Sequence, residues 1–141
     1  MFQGPVETGP FSLVDFFIGG MVEQTMDVFS ALGMQRVDAA TLDDTLLQAD
    51  DAVRILFLWG NDCPNCDVAK SQLLQAPDRF RWRDVAWLHQ NVYDEPALAT
   101  RFGLHGIPAF MVFRGQRRIG RISPWPGSDA FVAAIERVRA G

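Results

Sequence analysis

The chain has 141 residues, of which 48% are hydrophobic and 21% charged, so it can bury a core without metal ions or several disulfides. Its formal net charge of −4 argues against a nucleic-acid partner, which would require a basic surface. Two cysteines are too few for the disulfide scaffold of a secreted domain. Residues 1–12 lack the lysine or arginine that begins an export signal. We therefore expect a cytoplasmic protein, although a periplasmic chain trimmed of its signal would have the same sequence.

Residues 1–33 are predicted to form an N-terminal extension that ends in an amphipathic helix. Residues 1–11 contain two Gly and two Pro residues and predict an extended lead-in. Apolar side chains then recur at helical spacing as far as Gly33, which we expect to end the helix: Val14, Phe17, Ile18, Met21, Val22, Val28, Phe29 and Leu32. The acidic residues Asp15, Glu23 and Asp27 make the apolar stretch from Leu13 to Leu32 a poor membrane span, so none is expected. The helix is expected to pack on its own domain. Docking to a partner or a second copy is the alternative, so the oligomeric state stays open.

Residues 34–141 alternate between predicted strands and helices. The strands are predicted at Arg36–Ala39, Arg54–Trp59, Val85–Val92, Ala109–Arg114 and Arg117–Ile122. The helices are predicted from Thr41 to Gln48, from Pro64 to about Gln75, from Pro96 to Phe102 with Asp94 as its cap, and from a Ser128 cap to about Arg139. Strand–helix alternation followed by a hairpin predicts an α/β fold with a mixed central sheet and helices on both faces.

The two cysteines lie between the densest predicted strand and the helix that starts at Pro64. Disulfide exchange requires a thiolate, and a helix N-terminus stabilises negative charge through its unpaired N–H groups and its dipole. Cys63 is therefore the expected nucleophile. Cys66 follows one helical turn later and is the expected resolving thiol, which attacks the mixed disulfide formed on Cys63. We expect no cofactor beyond the redox-active Cys63–Cys66 disulfide.

Two alternatives for the cysteines remain open. They could be inert buried residues. They could also bind zinc together with His89 and His105, although structural zinc sites favour a more closely spaced second pair of ligands. A metal site is not expected.

Two stretches of the sequence resemble the thioredoxin family. RILFLWGNDCPNC is similar to the family's central strand and active-site segment, and NVYDEPALATRFGLHGIPAFMVFRG is similar to its later half. The resemblance covers about residues 36–139 and implies a thioredoxin-like fold for residues 34–141. It also implies a protein-disulfide oxidoreductase that exchanges electrons with protein disulfides and with a thioredoxin reductase or another redox partner.

The same resemblance implies a substrate-binding surface made of Trp59, Pro64, Gly106, Ile107 and Pro108. In the family the proline that matches Pro108 is cis and lies against the reactive cysteines. The backbone of Ile107 would pair with an extended substrate segment.

The active-site segment departs from the family's pattern in three ways. Phe57 replaces a buried Asp, Asp62 replaces a common Trp, and Pro64-Asn65 replaces the common Gly-Pro, which brings the motif closer to glutaredoxin or oxidase types. These departures leave the direction of electron flow open. Phe57 and the added helix also motivate an alternative function, a thioredoxin-fold adaptor or chaperone-like module that binds partners through the N-terminal helix.

Overall fold

The computed structural model describes residues 26–48 and 52–141. Its elements, in chain order, are α1 (Val28–Ala31), β1 (Gln35–Arg36), α2 (Leu42–Leu47), β2 (Val53–Trp59), α3 (Pro64–Gln75), a 3-10 helix (Pro77–Phe80), β3 (Val85–Asn91), α4 (Ala97–Arg101), β4 (Ala109–Arg114), β5 (Arg117–Ile122) and α5 (Ser128–Ala140). The predicted mixed α/β architecture is confirmed. The bounds of α3, β4 and β5 agree with the sequence-based ones.

The five strands form one sheet in the order β1-β3-β2-β4-β5. The central strand β2 pairs in parallel with β3 and antiparallel with β4. Because β2 has neighbours on both sides and helices over both faces, four consecutive residues from Ile55 to Leu58 are fully buried. This strand leads directly into the segment that carries the cysteines.

The two faces of the sheet are covered by side chains of different kinds. Successive residues of a strand point to opposite faces, so neighbours in β2 and β4 belong to different packing layers. We call one the aromatic layer; its largest members are Phe57, Phe80, Trp87, Phe110 and Phe131. We call the other the aliphatic layer; it contains Leu42, Leu46, Leu56, Leu58, Leu88, Leu98 and Met111. Helices α3 and α5 cover the first, and α2 and α4 cover the second.

Two predicted helix caps are wrong. Helix α4 begins after Pro96 and has no side-chain cap, so Asp94 lies before the helix rather than at its start. Helix α5 begins at Ser128 itself, and the residue before it is Gly127, whose φ of 96° turns the chain into the helix. Strand β1 covers only Gln35–Arg36, because Val37 makes the last backbone bond to β3 before the chain turns away.

Most of the predicted N-terminal helix lies outside the described residues. In the described part, Met26 and Asp27 are not helical, and α1 begins at Val28. Asp27 has an extended backbone and its carboxylate accepts a 2.9 Å hydrogen bond from the Ser30 N–H, which is the geometry of an N-cap. Val28 and Leu32 are buried in the aromatic layer. The part of the chain that the structure describes contains no helix with the length and hydrophobicity of a membrane span.

Candidate redox site

The cysteine pair lies where the chain leaves β2 and enters α3. Cys63 occupies the N-cap position with an extended backbone, and Pro64 is the first helical residue, a position where its missing N–H costs nothing. The Cα atoms of Cys63 and Cys66 are 5.2 Å apart and the two residues form a disulfide. The backbone N–H of Cys66 donates a hydrogen bond of 3.1 Å to the Cys63 sulfur. The predicted placement of the pair at a helix start is therefore what the structure shows.

The two sulfurs differ in their access to solvent. Cys63 retains 7% of its surface, whereas Cys66 is completely buried. Asp62, directly before Cys63, has a φ of 53°, in the left-handed region that Asp and Asn tolerate better than most side chains. Cys63 therefore keeps a small solvent-accessible area next to this turn, whereas Cys66 has none.

The loop before β4 comes close to Cys63. The carbonyl oxygen of Ile107 lies 3.8 Å from the Cys63 sulfur, across 44 residues of sequence. The Ile107–Pro108 peptide bond is cis, Pro108 is buried, and its carbonyl accepts a 3.0 Å hydrogen bond from the Ser123 hydroxyl. Gly106 is exposed, with open space where a side chain would extend. The structure thus brings Pro64, Ile107 and Pro108 together with the cysteine pair.

A shallow apolar groove of about 220 Å³ continues from this loop. Its lining combines the loop with the end of β3 and with α4: Val92, Tyr93, Ala99, Leu104, His105, Gly106 and Ile107. Two of the lining residues pack closely on Gly60, where an added methyl group would lie 2.7 Å from the Ile107 side chain and 2.8 Å from the Tyr93 ring. Tyr93 is 63% exposed. Sequence reasoning missed it, because only the fold places the end of β3 beside the loop.

Trp59 belongs to a different group of side chains. It is partly buried and packs against the aromatic layer. Its indole N–H donates a 3.2 Å hydrogen bond to Nδ1 of His89, and the His89 ring stacks on Phe29 at 4.1 Å. The ammonium of Lys70 lies 3.7 Å from the centroid of the Trp59 ring. We call these four residues the aromatic–lysine cluster. The structure therefore does not place Trp59 on the Ile107 groove.

Burial controls the ionisation of the cluster. Burial lowers the pKa of His89 to about 4, with a smaller contribution from the positive charge of Arg36, so this imidazole is neutral at pH 7. Burial also lowers the pKa of Lys70, against the opposing effect of the carboxylates of Asp67 and Asp27. The accepting Nδ1 of His89 is already engaged by Trp59. Within residues 26–48 and 52–141, no three His, Cys, Asp or Glu side chains come together in a way that could hold a metal ion.

Comparisons with known proteins agree with this geometry. No family model matches the chain. The chain is 35% identical over 77 residues to thioredoxin 1 of Chlorobaculum tepidum. The aligned segment covers 55% of this chain and 74% of that protein. It is 28% identical over 72 residues to the thioredoxin-like protein YusE of Bacillus subtilis, covering 51% of this chain and 66% of YusE.

Solved structures show the same fold. The Chlamydomonas reinhardtii thioredoxin f2 superposes with a TM-score of 0.63 at 18% identity, over 77% of this chain and 98% of that one. A point-mutant thioredoxin from Halobacterium salinarum superposes with a TM-score of 0.60 at 21% identity, over 73% of this chain and 88% of that one.

The fold and the cysteine pair together define the class of thioredoxin-fold thiol–disulfide oxidoreductases. Because the chain is 35% identical to the Chlorobaculum thioredoxin and covers 74% of it, the chain belongs to the thioredoxin family within that class.

Proposed function

We propose that this protein reduces or exchanges disulfides in other proteins, with Cys63 as the nucleophile and Cys66 as the resolving thiol. The observation that carries the proposal is the asymmetry of the pair. Cys63 is 7% exposed at the start of α3 and faces the Ile107 carbonyl at 3.8 Å, whereas Cys66 is fully buried behind it. A substrate sulfur can reach only the first.

The helix start favours the thiolate form of Cys63. In the N-cap position its sulfur accepts a hydrogen bond from the Cys66 N–H, one of the unpaired donors of the first turn. The positive end of the helix dipole acts in the same direction. Backbone groups at the start of α3 therefore stabilise the nucleophile.

Reduction proceeds in two exchanges. The Cys63 thiolate attacks one sulfur of the substrate disulfide, and the other substrate sulfur leaves as a thiolate and takes a proton from water. The Cys66 thiol loses its proton, and its thiolate attacks the Cys63 sulfur. The Cys63–substrate bond then breaks and the second substrate sulfur leaves. Two electrons have passed to the substrate, and the Cys63–Cys66 disulfide remains to be reduced.

The substrate surface continues from Cys63 along the Ile107 loop. The Ile107 backbone offers hydrogen-bonding groups to an extended segment beside the reactive sulfur, and exposed Gly106 leaves room for that segment. The groove next to Tyr93 is apolar, which suits an apolar side chain a few residues from the substrate cysteine. Pro64 borders this surface on the helix side, and Pro108 borders it on the loop side. Trp59 lies outside the groove and supports the site indirectly.

The oxidised pair must be reduced again by a partner. We propose a thioredoxin reductase or another dithiol–disulfide partner, working with this protein in the cytoplasm. One solved structure is a complex of ferredoxin:thioredoxin reductase with thioredoxin f2. This chain superposes on a chain of that structure with a TM-score of 0.65. Cell fractionation with a redox-state gel would test both the location and the recycling.

Insulin reduction by dithiothreitol, followed as turbidity, tests the activity. The wild-type protein should shorten the lag, and Cys63→Ser should abolish the effect. Cys66→Ser should instead accumulate mixed disulfides with proteins of a cell extract, because only the resolving thiol clears them. No acceleration by the wild type, together with no trapping by Cys66→Ser, would refute the proposal and leave a binding module. Trapping by Cys63→Ser alone would exchange the two roles.

A further inference from the structure

Lys70 is the only lysine in the chain. The sequence contains 13 basic residues, of which twelve are arginine. The single lysine lies in α3, four residues after Cys66, and it is the only cation in that helix. Residues four apart in a helix are neighbours on one face, and side chains lean toward the helix N-terminus. The ammonium group therefore projects toward the turn that contains Cys66.

Two aromatic rings from other parts of the chain hold this ammonium. The nitrogen lies 3.7 Å from the centroid of the Trp59 ring at the end of β2 and 5.6 Å from that of the Phe29 ring in α1. Cation–π contacts of this kind are most favourable with Trp. The contact with Trp59 fixes a charge that would otherwise move on a four-carbon stem. Three separate elements, α1, β2 and α3, therefore contribute to the placement of this ammonium group.

A positive charge beside Cys66 would favour ionisation of the resolving thiol. A completely buried thiol resists ionisation, because burial disfavours the charged form. The strand beneath α3 offers no help, since Ile55 to Leu58 are all apolar. His89, the other titratable member of the aromatic–lysine cluster, is neutral at pH 7. Lys70 is the cation that α3 itself places one turn after Cys66, whereas the charge of Arg36 acts on His89.

We propose that Lys70 is a positioning residue for the resolving step, whose ammonium stabilises the Cys66 thiolate during its attack on the Cys63 mixed disulfide. This assignment rests on the exchange function proposed above. The Cys66 proton passes to water, the Cys66–Cys63 bond forms and the Cys63–substrate bond breaks. Lys70 remains protonated throughout. Trp59 thereby acts on the chemistry indirectly, by holding Lys70.

The other charges around Lys70 favour its ammonium form. Asp67 lies one turn before it on α3, and Asp27 caps α1 on the facing segment. Both carboxylates raise the pKa of Lys70 and oppose burial. The neutral ring of His89 adds no competing charge, and Asp62 lies in the loop on the other side of Cys63. These groups keep the ammonium charged while Cys66 ionises.

The first test compares Lys70→Met with Lys70→Arg in the full chain. Loss of thiolate stabilisation in Lys70→Met should lower the equilibrium constant for reduction by glutathione about fivefold, which makes the potential more negative by about 20 mV. The pH profile of thiolate absorbance should move to higher pH. Lys70→Arg keeps the charge and should stay near the wild type. Equal constants for all three proteins would overturn the proposal, because a purely structural role would move the melting temperature alone.

The second test uses the wild-type residue and does not depend on a folded variant. Reductive ¹³C-dimethylation labels only Lys70 and the N-terminal amine, so each gives its own NMR titration. Coupling between two sites is reciprocal. The pKa of dimethylated Lys70 should therefore be higher in the reduced than in the oxidised protein by about 0.7, which is the fivefold effect expressed as a logarithm, whereas the N-terminal amine should not change. Identical Lys70 values in both states would refute the coupling.

The two proposals fail in different ways. Neither measurement on Lys70 uses a protein substrate, so inactivity in the insulin assay with an intact Lys70–thiol coupling would remove the proposed function only. Activity in the insulin assay without the coupling would remove the role of Lys70 only.

Discussion

The aromatic layer and the aliphatic layer hold different halves of the candidate site. The aromatic layer includes Ala69 and Leu73 of α3, so the helix that carries the cysteines rests on it. The aliphatic layer includes Leu98 of α4 and contacts Ile107, so the loop opposite Cys63 rests on that layer. The sulfur chemistry and the substrate surface are therefore supported by separate sets of side chains on opposite faces of one sheet.

The two layers also differ in how their members meet. Rings in the aromatic layer have defined mutual orientations; Phe57 stacks on Phe110 at 4.8 Å, and Phe131 meets the Phe110 edge at 4.9 Å. Aromatic pairs of this geometry contribute beyond the area they bury. The aliphatic layer contains the aromatic pair Phe102 and Phe113, whose ring centroids are 6.0 Å apart, but most of its members are side chains such as Leu58 and Met111 that have no ring to orient. The helix side of the site therefore rests on more ring–ring contacts than the loop side.

The largest expected effect comes from truncating neighbouring residues of β4 that face opposite layers. Phe110→Ala should lower the free energy of unfolding by about 4 kcal/mol, because it opens a ring-sized cavity and removes contacts with four aromatic residues. Met111→Ala, its control on the aliphatic face, should cost about 2 to 3 kcal/mol. Urea unfolding of both variants measures the difference. A greater loss in Met111→Ala would reverse the comparison between the layers.

The aromatic layer also predicts a pH dependence, through His89. Its pKa is about 4 in the fold, against an ordinary value of 6.5, so between these values the unfolded chain binds more protons and stability rises with pH. As the pH falls from 6.5 to 4 we expect a loss of about 1 to 2 kcal/mol, reduced from the full linkage value because the ring is partly exposed.

The chain offers a matched control for His89, since it has only two histidines. Urea unfolding between pH 4 and 7 should show a smaller slope in His89→Asn and the wild-type slope in His105→Gln, because His105 is exposed. A wild-type slope in His89→Asn would show that the imidazole of the aromatic–lysine cluster is not held neutral by the fold.

The loop side of the site is probed at Gly60. An added methyl group would contact the ends of the Ile107 and Tyr93 side chains at less than 3 Å, and both can move, so Gly60→Ala should cost only about 1 kcal/mol. Exchange with a protein disulfide should slow several-fold more than exchange with a small disulfide, because the groove is disturbed and the cysteines are not. Gly120→Ala, which meets open space, is the control. Equal slowing with both substrates would contradict a separate substrate surface.

The sequence allows the cysteine site to be predicted because its signals are local. A dense apolar run marks β2. Helix α3 is delimited by a Pro at its first position and by a second Pro that follows its C-terminal end, and the hairpin around Gly115 delimits β4 and β5. The predicted helix caps at Asp94 and Ser128 also rest on local signals. They are wrong because several neighbouring residues there can begin a helix.

The aromatic–lysine cluster could not be predicted, because its members come from four elements. Phe29, Trp59, Lys70 and His89 meet only after β2 and β3 pair and α1 packs against α3. Periodicity shows that Phe29 belongs to an apolar face, not which residue it stacks on. Spacing predicts that Lys70 lies a turn beyond Cys66, whereas its contact with Trp59 depends on the side-chain packing between elements.

The smallest expected effect concerns Asp62, which lies on the solvent side of Cys63, away from the layers. Asp62→Asn removes a negative charge next to the nucleophile and should slightly raise the rate of alkylation of Cys63, an effect reduced by water and salt at this exposed position. Asn also tolerates the φ of 53°, so stability should not change. Asp62→Ala removes the same charge but should cost about 1 kcal/mol. Alkylation rates against pH at two salt concentrations separate the two causes. If Asp62→Ala changes reactivity and Asp62→Asn does not, the backbone turn rather than the charge controls Cys63.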